Sequence, residues 1–290
     1  MLGTVASSTT PYGYEFYGNQ PLAWWDFTLS DSTDVDGSDK VSAWRSRWTG
    51  KVPSEDWTLS QSEASKQPKT RSAVLTNRGG GDCFTGGSIE FKAGGTSTGL
   101  LCGSDTNRHI DSPLWLIAMY QSTYSSTQGI CGQFGTSDDW DDDRGWQFYN
   151  MQTSKPKENR LIWAYASSTS YKYMTNWSPG SYDSDDNPGV YFDHVGGGRI
   201  PSDTNKPSLF MKDLTKKNSS AYQKDSDVFY NFHLGYSSDE TYPFDGYIAE
   251  VILFDATESE FSNAQVEALS LQIAKRHNLD STNNASGIGY

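Results

Sequence analysis

Short apolar runs punctuated by Gly, Ser, Asn and Asp dominate the chain from Pro21 onward. Runs of four to nine residues bounded by turn formers predict strands. They fall at Leu22–Phe27, Lys40–Trp44, Ser88–Lys92, Leu114–Tyr120, Ile130–Phe134, Gly145–Tyr149, Arg160–Tyr165, Val190–His194, Ser208–Lys212, Asp227–Gly235 and Gly246–Phe254. No helical pattern alternates with them, so the order predicts antiparallel sheets and not a parallel α/β sheet. A single helix is expected after Ser262. Gln265 stands at capping-box spacing from it, and Val266, Leu269 and Ile273 share one helical face. Lys275, Arg276 and His277 crowd the last turn, where positive charge suits the helix dipole.

The two ends read differently. Residues 1–20 are polar but carry Tyr12, Tyr14, Phe16 and Tyr17, with a period of two in the first three. They are expected to be an extended attachment arm outside the core. Residues 280–290 are a polar tail. Neither a repeat nor a linker divides 21–279, so one domain with two arms is expected.

Composition changes this picture in one respect. A net charge of −13 with 35% hydrophobic residues leans toward disorder, but 10 Trp, 17 Tyr and 13 Phe do not fit a disordered chain. Aromatic side chains must carry much of the core. The pI near 4.6 argues against nucleic-acid binding, which needs a basic footprint. No apolar stretch is long enough for a membrane span, and the first ten residues lack the pattern of a signal peptide. Cys83, Cys102 and Cys131 form no C-x-x-C, which leaves three reduced thiols, or one bridge and a free thiol.

Certain segments carry a family likeness. Leu22-Ala-Trp-Trp-Asp-Phe-Thr28 followed by Asp39-Lys-Val-Ser-Ala-Trp44, and later Phe244-Asp-Gly-Tyr-Ile-Ala-Glu-Val-Ile-Leu-Phe254, resemble the opening and closing strands of the laminin-G-like, concanavalin A-like jelly-roll family. Phe261 to Leu279 is similar to that family's closing helix. The resemblance implies an all-β, two-sheet antiparallel jelly-roll sandwich with one C-terminal helix. It implies no chemistry, because the fold hosts lectins, hydrolases, adhesins and virion proteins alike.

Catalytic signals are sparse. A retaining glycosidase needs two carboxylates about 5 Å apart, and no strand carries acidic residues at E-x-D-x-x-E spacing. Glu250 stands alone in its strand, where a hydrogen-bonded structural carboxylate is expected. None of His109, His194, His233 and His277 has a nucleophile in recognisable context. The expectation is therefore a chain that is not an enzyme.

The most unusual segment is Ser137-Asp-Asp-Trp-Asp-Asp-Asp-Arg-Gly-Trp146. Trp140 offers a stacking face for a sugar, and Asp141 and Asp143 offer hydroxyl acceptors or calcium ligands. Calcium is the one candidate cofactor. The competing reading is a solvated acidic loop in which Arg144 pairs with the Asp side chains. Asp34-Val-Asp-Gly-Ser-Asp39 loosely resembles the start of a calcium loop, but Ala43 stands where the closing Glu belongs, so it reads as a turn.

These features give an ordered expectation. The first reading is a non-enzymatic virion protein, decorating a phage head, fibre or tail. It attaches to other virion proteins through its arms, as a homo-oligomer or within an assembly, and meets host-surface glycans. The second is a carbohydrate-binding module of a secreted or cell-surface protein. The third is a glycoside hydrolase or lyase.

Overall fold

The computed structural model describes residues 14–28, 31–47, 57–72, 75–76, 82–84, 86–102, 114–122, 128–134, 145–151, 158–164, 172–176, 190–192, 208–213, 230–235, 243–255 and 261–278. Among these the chain is all-β apart from one helix, and every strand pairing is antiparallel.

One sheet runs in spatial order β15 (Val190–Phe192), β16 (Ser208–Asp213), β10 (Leu114–Ser122), β18 (Gly246–Asp255), β8 (Ser88–Phe91) and β5 (Lys69–Arg71); β1 (Ala23–Asp26) also pairs with β18. The second runs β14 (Lys172–Asn176), β13 (Glu158–Ala164), β12 (Gly145–Met151), β11 (Gln128–Phe134), β17 (Tyr230–Leu234), β9 (Leu100–Cys102), β4 (Thr58–Ser60), β3 (Val41–Arg45) and β2 (Thr33–Val35). A two-stranded ribbon joins β6 (Leu75–Thr76) to β7 (Asp82–Cys83). All of the apolar runs read from sequence are strands here. The strands that pattern did not predict, β2, β4, β5, β6, β7, β9 and β14, hold five residues or fewer. A run that short shows too few positions for a period to register.

The sheets share one apolar core. Trp25 of β1 stacks on Phe232 of β17 at 4.9 Å with rings 2° from parallel, and Tyr120 of β10 meets Phe148 of β12 edge-on at 5.8 Å. The Trp25 indole N–H is satisfied by the Trp57 carbonyl at 2.9 Å. At one corner the chain leaving β3 runs along the free edge of β1, with Arg47 N donating to Trp24 O at 2.7 Å. Gly235, at φ +93°, ends β17 where Phe91 packs against it. A β-carbon there would stand 2.2 Å from Phe91 Cδ1.

Strand β18 is the spine of its sheet. β10 lies along one side of it, while β8 pairs with 246–248 and β1 with 250–253 on the other. Its register against β10 jumps from Tyr120↔Ile248 to Met119↔Glu250. The bulge inserts Ala249 and reverses the in-out parity of the residues beyond it. Ile248, Val251 and Leu253 therefore all belong to the shared core. Glu250, Ile252 and Phe254 are turned to the opposite face, yet they are buried too.

A third layer covers that outer face. The helix α1 (Asn263–Arg276) starts at a Ser262–Gln265 capping box, as expected, and lies over β15 and β16. Leu269 and Ile273 are fully buried. The N-terminal segment completes the cover, and its burial corrects the expectation from sequence. Tyr14 and Phe16, expected on an arm outside the core, are 1% and 4% exposed. Phe16 sits edge-on to Trp24 and Phe254, and Phe254 packs on Phe261. The strand's outer face is aromatic, so burying the arm's rings there removes two apolar surfaces from water at once.

Candidate functional site

Beneath the arm and the end of α1 lies a buried ionic cluster. Glu250, 0% exposed, is its centre. Its carboxylate accepts from Trp24 Nε1 at 2.7 Å and from the Tyr14 hydroxyl at 3.0 Å. His277 Nε2 lies 2.6 Å away, and Arg276 reaches both carboxylate oxygens at 3.3 and 3.4 Å. The other arm of the Arg276 guanidinium donates to Asp26 at 2.7 Å and to the Thr28 hydroxyl. Asp26, also 0% exposed, accepts in addition from the Thr28 backbone N–H and hydroxyl.

Each element contributes for a local reason. Asp26 and Glu250 are register partners on β1 and β18, so their side chains share the outer face. Arg276 and His277 close α1, where its last turn reaches the same place. Phe84 covers His277 edge-on at 5.6 Å and donates its N–H to the His277 carbonyl. Tyr14 closes the top, stacked on Trp24 with the Arg276 guanidinium 5.4 Å from its ring.

The electrostatics arise from that enclosure. Burial pushes the Glu250 carboxyl up, but the His277 contact, the Arg276 charge and the Trp24 donor outweigh it and hold it below the usual carboxylate range. Burial, then the Glu250 charge, drives the Tyr14 phenol well above its ordinary value. Two carboxylates on adjacent strands thus gather around one guanidinium. No oxygen of either is open to solvent, so in this conformation the cluster fastens four segments together and does not meet a substrate. The expected role of Glu250 as a hydrogen-bonded structural carboxylate is what the structure shows.

A second acid lies on the outer face of β8. Glu90 accepts from Arg71 Nε at 2.6 Å and lies 2.9 Å from Lys92 Nζ. Burial raises its carboxyl and these two cations more than compensate, lowering it. Within the Asp34–Asp39 segment, Asp34 and Val35 end β2 and residues 36–39 turn the chain into β3. Asp36 Oδ1 accepts from the Ser38 and Lys40 N–H groups at 2.8 and 3.0 Å, and Asp34 pairs with Arg45. Cys131 is a free, buried thiol that burial pushes up.

The residues singled out from sequence fall in different places. Trp140, Asp141 and Asp143 lie outside the described residues, between β11 and β12, which are neighbours in the nine-stranded sheet. Tyr12 also lies outside them, as do His109, His194 and the tail 280–290. Tyr14 and Phe16 are inside the molecule, and Tyr17 is half-buried. Among the described residues no group of His, Cys, Asp and Glu is placed to hold a metal, and no helix is long and apolar enough to cross a membrane. Sequence reasoning missed Asp26 as Glu250's neighbour, because only the strand register pairs them. It also read Arg276 and His277 as helix-dipole partners alone.

No family model matches the chain, and no curated protein matches it. It is similar in structure to an arabinofuranosidase complexed with arabinofuranosyl-α-1,2-xylobiose, with a TM-score of 0.41 and 11% identity over 88% of this chain and 59% of the other. A leech intramolecular trans-sialidase gives 0.35 and 15% over 55% and 23%. A Trypanosoma rangeli sialidase in complex with sialic acid gives 0.34 and 8% over 89% and 33%. This chain spans less than two thirds of each of them.

At these scores the likeness transfers neither a substrate nor a catalytic residue. It does correct the expectation that the chain is not an enzyme, since all three are named for enzymes acting on sugars. That expectation stood on the missing carboxylate pair within one strand. A search along one strand cannot see a pair formed across two strands.

Proposed function

We propose that this chain is a concanavalin A-like jelly-roll module displayed on the surface of a particle, a phage virion in first place, where it meets host-surface glycans. The supporting observation is its polarity. Tyr14 and Asn278, the first and last described residues, both lie with the cluster on the outer face of the seven-stranded sheet. The other sheet, whose neighbouring strands β11 and β12 flank Trp140 in sequence, is on the far side of the core. An anchored face and a presented face suit a displayed binding module.

A glycan array probed with the purified chain, with and without calcium, tests the reading. Binding that is lost in Trp140→Ala supports it, and an array blank in both conditions overturns the glycan part. Mass spectrometry of the bound glycans reads any cleavage in the same samples. Antibody labelling of particles from the producing culture tests display on a virion.

A further inference from the structure

The N-terminal arm is held by side-chain anchors and not by a strand ladder. Residues 14–16 belong to no sheet. Tyr14 and Phe16 fill a groove between the end of α1 and the outer face of the β1–β18 pair, and Glu15 N donates to Gln272 Oε1 on α1 at 2.7 Å. The connection back to β1 is abrupt. Tyr17 at φ +55° and Gly18 at φ +83° are consecutive left-handed residues, closed by Asn19 N donating to Phe16 O at 2.9 Å. Glycine takes that conformation freely, whereas a tyrosine is strained in it.

We propose that this arm exchanges between two copies of the chain, each copy's Tyr14 and Phe16 filling the other's groove. The groove is the same in both copies, so exchange keeps every anchoring contact, the Tyr14–Glu250 hydrogen bond included. What changes is the hinge: opening at Tyr17–Gly18 releases the left-handed tyrosine. A short, strained hinge next to a self-contained docking element is the arrangement that favours exchange over self-docking, and two reciprocal exchanges close a two-fold dimer. The arm then joins copies while remaining buried. This is independent of any glycan contact on the other sheet.

The test uses the full chain carrying Glu15→Cys and Gln272→Cys, mixed as light- and heavy-nitrogen forms at high concentration and joined by a short bis-maleimide. The chain without these substitutions, treated alike, controls for its own thiols. Cross-linked 15–272 peptides carrying both isotopes as often as one are expected; peptides of one isotope only would overturn the exchange. Sedimentation of the unmodified full chain gives an independent reading. Mass should double with concentration, and Tyr14→Ala/Phe16→Ala should remain monomeric. A monomer at every concentration, or a dimer unchanged in that variant, would overturn it as well.

Discussion

The Trp24 indole N–H donates to Glu250 Oε1 at 2.7 Å across 226 positions of sequence. That bond ties the first strand to the spine strand on the face turned away from the core. Around it gather Tyr14 from the arm, Asp26 from β1, and Arg276 and His277 from the end of α1. Much of the energetics of this side of the molecule depends on one carboxylate.

Glu250→Gln should therefore be severe despite its small change in shape. It leaves Arg276 and His277 facing a neutral amide at a fully buried position. Breaking a buried pair from one side costs about 3–5 kcal/mol. Urea unfolding monitored by tryptophan fluorescence measures it, and a loss under about 1 kcal/mol would show that the charge matters little.

Acid should act through the same group. Its carboxyl is held below the usual range in the folded chain. The unfolded state then takes up the proton first as pH falls. The stabilisation is complete above the ordinary Glu value of about 4.3 and is lost as pH falls through the lower folded value. Urea midpoints recorded through that range should fall steeply, and less steeply in Glu250→Gln.

Because Tyr14 and Phe16 are buried against the outer face of β1 and β18, truncating them should cost stability. Phe16→Ala removes a ring packed on Trp24 and Phe254 and should destabilise the chain by about 3–5 kcal/mol. An unchanged melting temperature would restore the view of the arm as external.

The closing helix should prove equally integral. Leu269, fully buried on the face of α1 toward the sheet, should lose about 2–5 kcal/mol on substitution by Ala. Thermal and urea melts of Leu269→Ala read this directly.

Gly235→Ala adds only one carbon, but to a left-handed backbone and against the Phe91 ring. Overpacking of this kind costs about 1–3 kcal/mol, and the backbone strain adds to it. A variant melting within a degree or so of the parent would mean that the ring has room to move.

The amino-acid sequence by itself determined the local elements. Its apolar runs marked the longer strands, and Ser262 with Gln265 marked the start of the helix, because turn chemistry and capping act over a few residues. Pattern could not show the short strands such as β4 and β9, which exist because neighbours on both sides supply their hydrogen bonds. Nor could it show which way Glu250 points. A run of buried residues in β18 has no readable alternation, and the bulge at Ala249, set by pairing with β10, decides the face. The same holds for Tyr14 and Phe16. Their alternation was legible, but whether a sticky strip stays free or is buried depends on a groove built from β1, β18 and α1, at opposite ends of the chain. Asp26, Glu250 and Arg276 become one site only when register brings them together, since Coulomb attraction and hydrogen bonds act through space and not along sequence.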